Sequence, residues 1–191
     1  PAEADHIIPC LAHRVQKPAE KINHALVLHG DQGVGKDTII EGAIPAVGQW
    51  NCHEVSPHQL LGRFNGFVKS VILRVSEARD LGDKDRFQLY DHLKTYAAAP
   101  PTVLRVDEKN IREYAVPNVC FVIITTNYID GIYLPADDRR HYVASTELTK
   151  EDFTEEYWND LYKWFANGGY GHIAAYLHKL DISAFNPKAP P

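Results

Sequence analysis

The chain has 191 residues, 45% hydrophobic and 24% charged, a balance that supports a folded domain with a sizeable core and excludes disordered, collagen-like and coiled-coil classes. Lys and Arg number 20 against 25 Asp and Glu, a net charge of -5, which excludes a generally basic nucleic-acid coat and leaves any DNA contact local. No apolar run reaches the roughly 18 residues that cross a bilayer and no basic-then-apolar leader opens the chain, so a cytoplasmic setting is expected. Cys10, Cys52 and Cys120 lack zinc-site spacing and read as buried thiols of a reducing compartment. The start at Pro1, the lack of Met and the Asn186–Pro191 tail suggest a piece of a longer protein.

In chain order, residues 1–19 carry Ile7, Ile8, Leu11 and Val15 at near-helical spacing, interrupted by Pro9 and closed by Pro18, and read as a short helical preface. Residues 24–29 read as a buried strand that runs into a glycine loop and then a helix ended by Pro45. Further buried strands are expected at 71–75 and 119–125, with a helix over 84–95 and a hairpin using 102–107 between them. His141, Tyr142 and Val143 read as a short strand. In the last part, 150–191, Trp158, Leu161, Tyr162 and Phe165 follow helical spacing and Gly168-Gly169 punctuates a helical hairpin, whose aromatics read as core packing against the sheet. The expected fold is α/β, a P-loop NTPase of AAA+-like type over 20–149, with a mostly parallel central sheet flanked by helices and a small C-terminal helical extension.

The strongest chemical signal is Gly30, Asp31, Gln32, Gly33, Val34, Gly35, Lys36, Asp37, Thr38. Glycines at this spacing let successive amides and a helix N-terminus face phosphate oxygens, with Lys36 reaching the outer phosphates. ATP and Mg2+ are the expected ligands. Asp37 stands where a magnesium-binding hydroxyl is usual: either Thr38 is the ligand one residue later, or magnesium is held mainly through water and the phosphates, with Asp37 complementing the dipole at the helix N-terminus.

A carboxylate is needed at the end of a neighbouring strand. Glu77 and Asp107 compete. Parallel neighbours need a crossover of about a dozen residues, and residues 109–118 contain Pro117 and no helical face, whereas the stretch from Glu77 to 119 holds a helix and a hairpin. Glu77 is therefore the expected base and magnesium residue, with Asp107 as fallback. Asn127, after the strand at 119–125, could orient water. Arg139 and Arg140 could stabilise phosphoryl charge from another subunit. The ten histidines show no paired metal-ligand spacing and receive no metal role.

The glycine loop, the Glu77 strand, Lys109 with Pro117-Asn118, Thr125-Thr126-Asn127 and Asp138-Arg139-Arg140 follow one another in an order that resembles superfamily 3 helicases. More closely, the chain resembles the ATPase domain of phage and plasmid primase-helicases. The resemblance implies that Glu77 is the second Walker acid, Asn127 a sensor and Arg139 or Arg140 a finger, and that Lys109, with Arg105 and Arg112, contacts DNA. It also implies an ATP-hydrolysing replicative DNA helicase motor, working as a homo-oligomeric, hexameric ring by the family's pattern, on single-stranded or forked DNA in a bacterial host cell, with a primase domain in the longer chain. The alternatives are a small-molecule or nucleotide kinase and an ATP-binding assembly module with weak hydrolysis, the latter favoured by Ser76 in place of an acid.

Overall fold

The computed structural model describes residues 2–76, 83–128 and 133–191. Its elements in chain order are α1 (Ala2–Gln16), β1 (Ala25–His29), α2 (Lys36–Val47), β2 (Cys52–Val55), α3 (Pro57–Leu60), β3 (Ile72–Ser76), α4 (Asp83–Ala97), β4 (Val103–Glu108), β5 (Ile111–Pro117), β6 (Phe121–Thr126), β7 (His141–Ser145), α5 (Glu155–Trp164) and α6 (Tyr170–Lys179). Five strands form one sheet in the order β2-β3-β6-β1-β7, every ladder parallel. The mostly parallel central sheet flanked by helices thus stands as expected. β4 and β5 form a separate antiparallel hairpin.

Strand alternation explains the two cores. On β1, Leu26 and Leu28 face α1, α2 and α6, together with Ile72, Phe121 and Ile123, while Ala25 and Val27 face the opposite core with Leu73, Val75, Val122 and Ile124. α4 and the hairpin cover that second face through Leu89, Leu93, Leu104 and Val106. Both faces of the sheet are dry, which is why β6 is apolar almost throughout and buried at every position.

Two helix boundaries correct the sequence reading. α1 runs through Pro9, and α2 runs through Pro45 to Val47. A proline removes one amide donor, but Cys10, Leu11 and Ala12 after Pro9 are buried in the core, so tertiary packing holds the helix together. α2 stops instead at Gly48, whose φ of 94° suits glycine. β2 carries no clear apolar pattern, with its middle residues exposed at the sheet edge, and the sequence reading missed it.

α1 is tied down by a buried cation. Arg14, fully buried, donates from Nη1 to the carbonyls of Val119 at 3.0 Å and Pro18 at 3.4 Å, and from Nη2 to Lys17 at 3.2 Å and to Glu20. Burial pulls its guanidinium down to about 10, still well above neutral pH. Lys21 donates to the carbonyls of Tyr96 and Cys120 close by. Through Val119 and Cys120 these two cations each hold a backbone carbonyl at the entry to β6. Among the described residues no helix is long and apolar enough to cross a membrane.

Candidate functional site

The strands β1, β3, β6 and β7 end together, at His29, Ser76, Thr126 and Ser145, on one edge of the sheet. The glycine loop leaves β1 at that edge, where open parallel sheets place ligands. α2 begins at Lys36, so the amides of Lys36, Asp37 and Thr38 have no partner within the helix. Amides placed in this way, together with the helix dipole, favour a nearby anion. Gly33 and Gly35 have φ of 86° and 87°, a backbone that disfavours side chains.

The Lys36 ammonium lies across the mouth of this loop. It donates to the Gly30 carbonyl at 2.7 Å, the Asp31 carbonyl at 2.6 Å and Asn127 Oδ1 at 2.8 Å. Burial lowers its pKa, opposed by Asp37 and Asp31. A cavity of about 740 Å³ opens beside it, lined by Gln32, Thr38, Glu41, Arg74, Ser76 and Trp158 among others. Lys36, Thr38 and Asn127, singled out separately in the sequence, thus meet on one wall. Ser76 stands in register with Thr125 on β6.

The other sequence candidates distribute differently. Glu77 lies outside the described residues. Asp107 is on the hairpin, where Arg63 Nε donates to it at 2.9 Å, and it does not line the loop cavity. This follows from topology: among the described residues β4 pairs with β5 alone and stands apart from the parallel sheet. Arg139 and Arg140 precede β7 at the opposite edge, where the Arg140 carbonyl accepts from the Ala25 amide at 2.7 Å. The length of β1, roughly 13 Å, separates that edge from the loop. Lys109 sits in the hairpin turn and is exposed with Arg105 and Arg112; Arg105 pairs with Glu113 at 2.5 Å.

Sequence reasoning missed three contributors. Arg74, on β3, bridges Asp37 at 3.0 Å and Glu54 at 3.5 Å and lines the cavity. Asp37 therefore does more than complement the helix dipole: it holds a guanidinium beside the loop. An arginine inside an otherwise apolar strand was the available signal. Trp158, read as core packing, instead lies against the loop, so that a β-carbon at Gly35 would stand 2.9 Å from its Cη2. Its helical spacing gave no way to tell one apolar destination from the other. Phe165, from the same run, is buried, as the core reading required.

The third is a cluster away from the loop. His6 and Cys10 of α1 and His24 before β1 bring three ligand atoms within 4.8 Å of one another. Sequence spacing could not show this grouping: His6 and Cys10 are four apart on one helix face, and His24 arrives only through the fold.

Gly35→Ala is expected to lower the melting temperature by several degrees, because the new methyl meets Trp158 in a backbone conformation that costs on the order of 1–3 kcal/mol for a side chain. Thermal unfolding followed by circular dichroism checks this; an unchanged melting temperature would mean that the loop is free to rearrange.

The chain matches a family model described as "Family of unknown function (DUF5906)" over residues 28–140. Among curated proteins it is 25% identical over 172 residues to the DNA Primase-polymerase of Nitratiruptor phage NrS-1, covering 87% of this chain and 23% of that protein. An apo structure of the NrS-1 C-terminal region matches with TM-score 0.80 at 21% identity, covering 95% of this chain and 43% of that one. A second, the A form of the same region, matches with TM-score 0.76 at 22% identity, covering 95% and 43%. The chain thus spans about a quarter of the curated relative's length and under half of the solved chains.

These findings correct the sequence expectation of a superfamily 3 helicase domain. The matched family has no known function and the matched relative is a primase-polymerase, so the ATP-hydrolysing helicase motor is overturned, and the kinase alternative has no support. The physical reason is that a glycine loop between strand and helix recurs in folds of many functions and does not by itself specify a reaction. The later motifs were short enough to be matched by strand ends and turns of any similar sheet.

Proposed function

The chain belongs to the DUF5906 family, of unknown function, and on that premise we propose that it is a nucleotide-binding domain of a DNA-replication protein, with a P-loop-type fold. The observation that carries this reading is the Lys36 ammonium, held by two loop carbonyls and Asn127 at the start of α2, whose first amides have no partner within the helix. A triphosphate entering there would accept from those amides and take the ammonium from the carbonyls. The residues proposed to hold it run from Gly30 to Thr38, with Asn127 beside Lys36.

The proposed ligand is a nucleoside triphosphate, ATP being the first to test, with Mg2+. The oxygen donors on the cavity wall, Thr38, Glu41 and Glu54, suit magnesium; Glu77 remains a candidate from the sequence alone. In the longer protein the chemistry would be that of a primase-polymerase, as in the NrS-1 relative, and this chain would correspond to part of its C-terminal region. DNA is the proposed partner, with Lys109, Arg105 and Arg112 on the hairpin as phosphate contacts. Arg139 and Arg140 would reach a loop only from another copy, since their own lies across the sheet.

Trp158 provides the test. Adding ATP with Mg2+ is expected to change tryptophan emission in the wild type and not in Trp158→Phe, while calorimetry records one binding event in both. Absence of binding heat with every nucleoside triphosphate tried would overturn the reading.

A further inference from the structure

On the far side of α1 from solvent, His6, Cys10 and His24 form a group that the nucleotide site does not use. His6 Nε2 and His24 Nε2 are 2.9 Å apart, and Cys10 Sγ is 3.7 Å from His24 Nε2. Cys10 is 0% and His24 1% exposed, and His6 is half-buried. Cys10 forms no disulfide. Aromatic rings wall the group: Tyr142 stacks on His6 with centroids 3.9 Å apart, and Phe121 meets His24 edge-on at 6.4 Å. His24 Nδ1 is buried with no hydrogen-bond partner.

We propose that His6, Cys10 and His24 form a zinc site that fastens α1 to the start of β1, with a water molecule in the fourth position. Two imidazole nitrogens and a thiolate are the ligands that a borderline ion such as zinc prefers. Around a tetrahedral ion with bonds of about 2.0 Å to nitrogen and 2.3 Å to sulfur, neighbouring donors stand about 3.3–3.6 Å apart. The Cys10–His24 separation is close to that, and the His6–His24 pair needs to open by a few tenths of an ångström. The i, i+4 spacing puts His6 and Cys10 on one helix face, so both can reach one ion without distorting α1. The surrounding rings fix the imidazole planes. On binding, Cys10 coordinates as thiolate and its proton passes to solvent.

The site lies at the N-terminal edge of β1, a strand's length from the phosphate loop, so its test is independent of the nucleotide reading. The full chain, stripped with a chelator, is titrated with zinc chloride against a chromophoric competitor, and with cobalt chloride under reducing conditions. The expected result is one equivalent of zinc, a melting temperature several degrees higher, and a thiolate-to-cobalt charge-transfer band. The band should persist in Cys52→Ser and vanish in Cys10→Ser, and zinc affinity should fall at least tenfold in His6→Ala, whose half-buried position makes misfolding a small risk. No zinc binding by the wild type, or one full equivalent retained with unchanged affinity in both His6→Ala and Cys10→Ser, would overturn the proposal.

Discussion

Replacing Lys36 with Ala is expected to weaken nucleoside triphosphate binding by on the order of 100-fold, the equivalent of about 2.8 kcal/mol. The size follows from what the ammonium does. It is the cation at the loop mouth, and a charge-assisted hydrogen bond to phosphate contributes about 1.5–3 kcal/mol. Its present partners are two carbonyls and an amide oxygen, all of which remain hydratable in the variant because the site opens to solvent. The fold should therefore survive, and a melting temperature within a few degrees of the wild type separates lost binding from lost structure. Asn127→Ala is expected to cost less, and the double variant less than the sum, since the two side chains touch. Calorimetric titration with ATP and Mg2+ checks all three. A Lys36→Ala protein that binds as tightly as the wild type would place the triphosphate elsewhere.

Arg14→Ala is expected to lower unfolding free energy by about 3–5 kcal/mol, the range for breaking a fully buried, multiply bonded charge. The variant loses the donor shared by four carbonyls, those of Val119, Pro18, Lys17 and Glu20, and leaves a cavity under α1. Arg14→Lys should recover only part of the loss, because an ammonium cannot spread its donors over the same fork. In urea unfolding the midpoint should fall with the slope unchanged. A shift under 1 kcal/mol would show that water reaches those carbonyls once the guanidinium is gone.

Both predictions depend on contacts that the sequence could not display. Arg14 lies in the N-terminal helix and Val119 at the entry to β6, 105 residues later; no local pattern joins them. Lys36 and Asn127 are 91 residues apart, yet each was legible as a candidate, because a glycine loop and a polar residue after a buried strand carry local signals. Glu77 was preferred to Asp107 by a topological argument, and the fold agrees with the argument's premise: β3 neighbours β6 in the parallel sheet and β4 stands apart. Where the reading failed, local rules met tertiary packing. Pro9 and Pro45 lie within helices because the core on that side rewards continuation. The aromatic run at 158–165 was one stripe by periodicity, but its ends go to different places, Trp158 to the loop and Phe165 to the interior.

By itself the sequence determined the layered α/β class and the glycine turn between β1 and α2, since apolar runs, glycine spacing and helix starts act through neighbours a few residues away. Only the tertiary structure decided which distant groups share a wall: Arg74 beside Asp37, Trp158 over Gly35, and His24 against His6 and Cys10. Side-chain chemistry at a site depends on distances through space, and the path of the chain between two residues leaves no mark in the residues themselves.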